Sequence, residues 1–138
     1  MEKLTSKLLN LNKMVKALEK SIDMLQKTNP EEVEFIQDSV IARFKILIES
    51  TWKDIKIFLE YQKFADVPSS PKGVIHFAKE VNFLTDQEYS EFSKYLVLRN
   101  LASYIYDAPQ YLLAIQAAPH AVELVKKIIN RIESPLHF

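Results

Sequence analysis

The densest run of chemistry-bearing residues is Arg99-Asn100-Leu101-Ala102-Ser103-Tyr104-Ile105-Tyr106-Asp107. On a helix, Arg99 lies about one turn before Ser103 and about two before Tyr106, which puts Arg99, Asn100, Ser103 and Tyr106 on or near one face. The planar guanidinium fork of Arg99 can grip a phosphate or carboxylate. Asn100 can orient a polar group, and the tyrosine hydroxyls can donate or accept. The same residues also suit an interhelical polar network with Arg99 bonded to Asp107 or another acid.

Other chemistries find less support. His76, His120 and His137 are too widely separated to make a metal motif. The Glu-x-x-His repeats of a four-helix carboxylate metal centre are missing. There is no Cys, so thiolate zinc sites, iron-sulfur clusters and cysteine nucleophiles are excluded. A chain whose one glycine is Gly73 cannot form a multi-glycine phosphate loop, so no nucleotide cofactor or metal is expected in this chain itself. Eighteen Lys and Arg balance eighteen Asp and Glu, without the cationic excess of a protein that binds nucleic acid mainly through its phosphates. No stretch approaches the roughly 20 apolar residues of a membrane span, so the expectation is a cytoplasmic protein without a membrane partner.

The elements that must position Arg99 are helical. The 138 residues suffice for one core and are too few for two ordinary domains, so one domain over 1–138 is expected, with an ordered core at about 3–133. Leu4, Leu8, Leu11, Met14 or Val15, Leu18, Ile22 and Leu25 make a single stripe at three-and-four spacing. Pro30 then opens a second helix with Asn29 as its cap. That helix runs from Glu31 to about Phe64 without Gly or Pro and has a wider stripe. Ile46, Leu47 and Ile57 on its flanks suggest its own bundle on one side and another helix or chain on the other. Phe44, Ile48 and Trp52 are the residues expected at an interface. Trp52 also suits the core or, with its face exposed, stacking on a base. Lys53 and Lys56 suit a phosphate or a solvated face.

Ser70-Pro71 is a cap followed by a first-turn proline, opening a short third helix to about Val81, with Gly73 permitting close approach in its first turn. Thr85 and Glu88 make a capping-box pattern, so the fourth helix starts at about Asp86. Asp107-Ala108-Pro109 marks a break or a new start. Ala118-Pro119 is expected to kink or interrupt the last stripe, and a loose tail is expected after Ser134. The fold class is therefore all-α, an antiparallel up-and-down bundle of four to five helices.

Arg99-Asn100 followed by Ser103, Tyr104 and Tyr106, together with Phe44, Trp52-Lys53, Leu59-Glu60 and Ser70-Pro71, resembles the HEPN superfamily. Within it, the likeness is to the nucleotidyltransferase substrate-binding protein family, over about Leu4 to Ile132. The resemblance implies a HEPN-like bundle that forms a homodimer and associates with a separately encoded minimal nucleotidyltransferase. In that family the companion holds the site for ATP or another nucleotide with Mg.

The resemblance gives two functions. One is a noncatalytic substrate-binding or regulatory subunit, with Arg99, Asn100, Ser103, Tyr104 and Tyr106 as its binding residues. The other is a HEPN-type metal-independent ribonuclease toxin acting on RNA and neutralised by the nucleotidyltransferase as antitoxin, with Arg99, Asn100 and Tyr104 as catalytic residues. The ribonuclease signature of such relatives is an Arg followed by four to six residues and a His. Here Tyr104 stands at the His position, and an unperturbed tyrosine pKa near 10 makes it a poor proton acceptor. Weak or absent ribonuclease activity follows. Tyr106 matches a tyrosine that accepts adenylyl groups in some related pairs.

Overall fold

The computed structural model describes residues 2–101 and 109–136. These form five helices: α1 (Glu2–Lys27), α2 (Val33–Tyr61), α3 (Pro71–Glu80), α4 (Asp86–Leu101) and α5 (Pro109–Leu136). The α1 stripe is buried at Leu4, Leu8, Leu11, Val15 and Leu18. It packs on α2 and α5. Ser21 near the end of α1 meets Ser39 near the start of α2 at 2.9 Å, while Lys7 acts on Asp54 near the other end of α2, so the two helices run antiparallel.

Helix α2 touches all four others. Its wide stripe is buried from Ile36 to Leu59, and Phe44, Leu47, Ile48 and Ile55 have no exposed surface at all. Helix α4 runs antiparallel to α2: Phe83, just before it, packs on Phe58 (ring centroids 5.2 Å apart), and Tyr95 meets Phe44 edge-on at 6.1 Å. Helix α5 starts at the same end as α2, where the Tyr111 hydroxyl donates to Asp38 Oδ1 at 2.7 Å. Helices α1, α2, α4 and α5 thus alternate in direction around one contiguous core, with the short α3 set against α2 and α4.

Local signals set the helix starts. Ser70 Oγ accepts the Gly73 N–H at 3.0 Å, with Pro71 in the first turn. A Cβ on Gly73 would lie 2.6 Å from Ser70 Oγ and 2.8 Å from Pro68 Cβ, so only glycine lets the capping loop close this tightly. Thr85 and Glu88 form the reciprocal capping box, at 2.9 and 3.0 Å. Asn82 takes a left-handed φ of 64°, and the Phe83 N–H closes onto the Ala78 carbonyl at 2.8 Å, turning the chain from α3 into α4.

Three expectations need correcting. The Asn29 side chain accepts from the Glu31 and Glu32 amides at 3.1 and 3.2 Å and so caps a turn, one step ahead of α2, which begins at Val33. Pro119 does not interrupt α5, which is helical on both sides of it. The proline sits on the exposed face, while Ala114, Ala118, Ala121, Val122 and Val125 stay buried and hold the helix together across the lost bond. The helix also continues past Ser134 to Leu136.

Asp54 is a buried carboxyl on α2, 5% exposed, and burial pushes its pKa up to about 6 despite the opposing charge of Lys7. Because the folded value lies above the ordinary one of 3.8, the folded state binds the proton more tightly between the two. Stability from this group is therefore present below about pH 4 and is lost as the pH rises through about 6. Asp54→Asn is expected to raise stability at neutral pH by at most about 3 kcal/mol and to flatten the decline between about pH 4 and 7, as read by denaturant unfolding across pH.

Candidate functional site

Arg99 reaches from the last turn of α4 to Glu49 in the middle of α2, and Nη1 donates to Glu49 Oε2. Its Nε and Nη2 both donate to Asn100 Oδ1, at 3.3 and 3.2 Å. Glu49 gathers two further donors from its own helix: Trp52 Nε1 to Oε2 at 3.1 Å, and Lys53 Nζ beside Oε1 at 3.3 Å. Residues three and four places on share its face, so the sequence itself builds this cradle. Partial burial acts to raise the Glu49 pKa. The hydrogen bonds from Trp52 and Lys53 and the charges of Arg99 and Lys53 outweigh it, and the carboxyl lies below its usual range. Glu49 is thus a fixed anion at neutral pH rather than a proton carrier.

Beside this cluster is a cleft of about 510 Å³, bounded by Ser70, Pro71 and Lys72 at the start of α3 and by Leu96, Val97, Arg99 and Asn100 of α4. The Ser70 cap and the glycine-tight turn fix one wall. The other is fixed by the burial of Leu96 and of Tyr95, whose hydroxyl donates to Glu91. Burial, reinforced by the bond and charge of Glu91, pushes the Tyr95 pKa well above the ordinary tyrosine value, so it stays neutral.

Of the expected binding residues, Arg99 and Asn100 come together here. Ser103, Tyr104 and Tyr106, with Asp107, lie outside the described residues. The acid on Arg99 is Glu49, which the sequence reading did not single out, although the Glu49, Trp52, Lys53 spacing signals it. Lys72 was likewise missed. Phe44 and Ile48 are wholly buried and Trp52 is 7% exposed, so all three pack inside the chain's own core, and the Trp52 ring is not open for a base to stack on. Lys56 pairs with Glu60 at 2.9 Å on a solvated face. His76 lies 3.5 Å from Glu80 and edge-on to Tyr89, His120 borders a separate groove beside Glu88, Glu91 and Glu123, and His137 is outside the described residues. Among the described residues no group of three or more His, Asp or Glu is placed to hold a metal ion, and no helix is long and apolar enough to cross a membrane.

The family described as "Nucleotidyltransferase substrate binding protein like" matches residues 6–134. The chain belongs to this family. The chain shares its fold with several solved structures. One is a Thermus thermophilus protein, 25% identical with a TM-score of 0.77, the match covering 88% of this chain and 98% of that one. Another is a structure of a tri-AMPylated Shewanella oneidensis HEPN toxin in complex with an MNT antitoxin, 17% identical with a TM-score of 0.76 over 95% and 96% of the two chains. A MntA–HpeT toxin–antitoxin structure gives 17% identity and a TM-score of 0.75 over 97% and 99%. The expected HEPN-like helical fold is the fold these structures share. No curated protein matches the chain in sequence.

The Arg99–Glu49 pair is unevenly exposed, with side chains 16% and 39% open to solvent, so water and salt weaken it. Arg99→Ala is expected to cost about 1 kcal/mol of stability, with a double-mutant coupling to Glu49→Ala of about 0.5–1 kcal/mol in urea unfolding. A coupling near zero would show that the two side chains do not act on each other in the folded protein.

Proposed function

We propose that this chain is a noncatalytic substrate-binding or regulatory subunit that forms a homodimer and associates with a separately encoded minimal nucleotidyltransferase, helping to present or recognise its substrate through the Arg99 to Tyr106 region. The family match over nearly the whole chain carries the reading. Arg99 supports it, because it borders an open cleft instead of being sealed into the core. The nucleotide and Mg belong to the partner in this reading, consistent with a chain that has one glycine and, among the described residues, no metal-holding group. Phe44, Ile48 and Trp52 serve such a dimer from behind, as the packed core under α2, whose exposed apolar residues include Phe35 and Ile46.

The rival reading, a HEPN-type ribonuclease toxin restrained by the nucleotidyltransferase, gains from the fold shared with the Shewanella oneidensis toxin. Tyr104 in place of the signature histidine weighs against it. Glu49 is a poor substitute base, because its pKa is held below the usual carboxylate range, which weakens it as a proton acceptor, and its oxygens already accept from three side chains.

Native mass spectrometry of the chain with and without the nucleotidyltransferase is expected to show a homodimer alone and a mixed complex with the partner. Incubating the complex with ATP and Mg is expected to add adenylyl mass to this chain, and Tyr106→Phe to abolish the gain. The lone chain is expected to leave RNA intact in the presence of a chelator. Metal-independent cleavage that Arg99→Ala abolishes would establish the toxin reading instead.

A further inference from the structure

We propose that the outward face of α1, with its row of Lys13, Lys16 and Lys20, docks an acidic surface of a protein partner. The inference rests on the subunit reading in taking that partner to be the nucleotidyltransferase.

The balanced charge of the chain hides an uneven distribution. Helix α1 carries six lysines against three acids, a net charge of +3, so the rest of the neutral chain carries −3. Two of the three acids are already engaged: Glu19 holds Lys126 of α5 at 2.6 Å, and Asp23 holds Lys27 at 3.1 Å. Lys13, Lys16 and Lys20 have no ion pair or hydrogen bond among the described residues. Spaced three and four apart, they share one exposed face with Leu9 and Met24. These two apolar side chains, 62% and 47% exposed, close the row at its ends, about 22 Å apart along the helix. Like charges at this spacing repel, and the buried stripe from Leu4 to Leu18 keeps the row turned outward, so the chain itself gives them no relief.

The composition of the face selects the partner. Nucleic acid is gripped by arginine forks on phosphate and by aromatic rings stacked on bases, and α1 has neither an Arg nor an aromatic residue. A phosphate backbone would also leave Leu9 and Met24 against water. A second copy presenting the same face would bring lysine onto lysine. A protein surface with carboxylates at its middle and apolar side chains on its flanks meets both features.

Position favours the nucleotidyltransferase as that protein. The Met24 end of α1 lies where Ser21 meets Ser39 near the start of α2, and Tyr111 at the start of α5 bonds Asp38 at that same end of the bundle. Helix α1 packs on α2 and α5 but on neither α3 nor α4, so a partner seated on its outward face leaves the cleft beside Arg99 open.

Surface plasmon resonance of the full chain on immobilised nucleotidyltransferase, at about 50 and about 300 mM salt, tests this. One variant combines Lys13→Glu, Lys16→Glu and Lys20→Glu. A control combines Lys3→Glu, Lys63→Glu and Lys94→Glu, the same change of net charge at exposed positions off this face. Thermal melts confirm that each variant is folded. At the lower salt the α1 variant is expected to bind at least about thirtyfold more weakly, chiefly through a slower on-rate, and to lose most of its salt dependence, while the control stays within about threefold of wild type. Leu9→Ala with Met24→Ala is expected to weaken binding about threefold or more through the off-rate. An α1 variant within about threefold of wild type would overturn the proposal, as would an equal loss in the control. So would a duplex RNA that the wild type binds and the α1 variant does not, with nucleotidyltransferase binding the same for both. A complex indifferent to α1 sinks this inference alone, whereas no complex with the wild type sinks the subunit reading beneath it.

Discussion

Helix α2 carries apolar side chains over so wide an arc that no single neighbour can cover them, and the arrangement of the other helices follows from that constraint. Twelve of its residues are buried, and among them are Thr51 and Asp54, whose polar groups come inside with the apolar stripe around them. Thr51 meets its own need, donating to the Leu47 carbonyl at 2.6 Å. Asp54 has no such local remedy, and its raised pKa records the cost of placing a carboxylate where α1 and α2 close on one another. Glu49 is only partly buried, at the edge where the last turn of α4 passes, and there an arginine from α4 finds an ionised partner.

The position of Arg99 is settled mainly at the opposite end of α4. Arg131 of α5 grips both oxygens of Glu88 at 2.8 and 3.0 Å, donates to the Phe83 carbonyl at 2.9 Å, and lies over the Phe83 ring. The bidentate arginine and the capping-box bonds from Thr85 together hold the Glu88 carboxyl below its usual range, although partial burial works against them. Glu88 thus closes the first turn of α4 and fastens it to α5 with one carboxylate. Phe92, Tyr95 and Leu96 carry the constraint forward through the core, with Tyr95 edge-on to both Phe44 and Phe92. The guanidinium is delivered to the cleft by a helix anchored elsewhere, so the cleft residues can change partners without loosening the element that holds them.

Those parts of the fold that depend on local chemistry could be read from the residues. The α1 stripe, the Ser70 cap with Pro71, and the Thr85–Glu88 box each involve atoms within a few positions of one another, and each is found as the spacing implies. Pro119 misled because the penalty of a helical proline is local while its remedy is tertiary: the alanine-rich buried face of α5 holds the helix together across it. The same division runs through the site. Arg99 and Asn100 stood out by residue type, but the acid that neutralises Arg99 lies fifty positions away on α2, and only the packing of α4 on α2 brings it there. Phe44, Ile48 and Trp52 could be assigned to core or interface equally well from periodicity, since both surroundings select the same side chains. The packing of the other helices on α2 buries all three within the chain.

Glu49 also explains why Arg99 needs help to bind an anion. It places a full negative charge beside the guanidinium. An arginine placed there by itself would be well held and a poor receptor. Lys72 comes from a different helix, outside the Glu49 cluster, and faces the same cleft. It supplies positive charge that Glu49 has not cancelled by direct contact. Arg99 provides the geometry of the fork and Lys72 the net attraction, so anion affinity at this site requires both walls of the cleft. A change that moved α3 away from α4 would therefore leave the Arg99–Glu49 pair intact while removing that attraction.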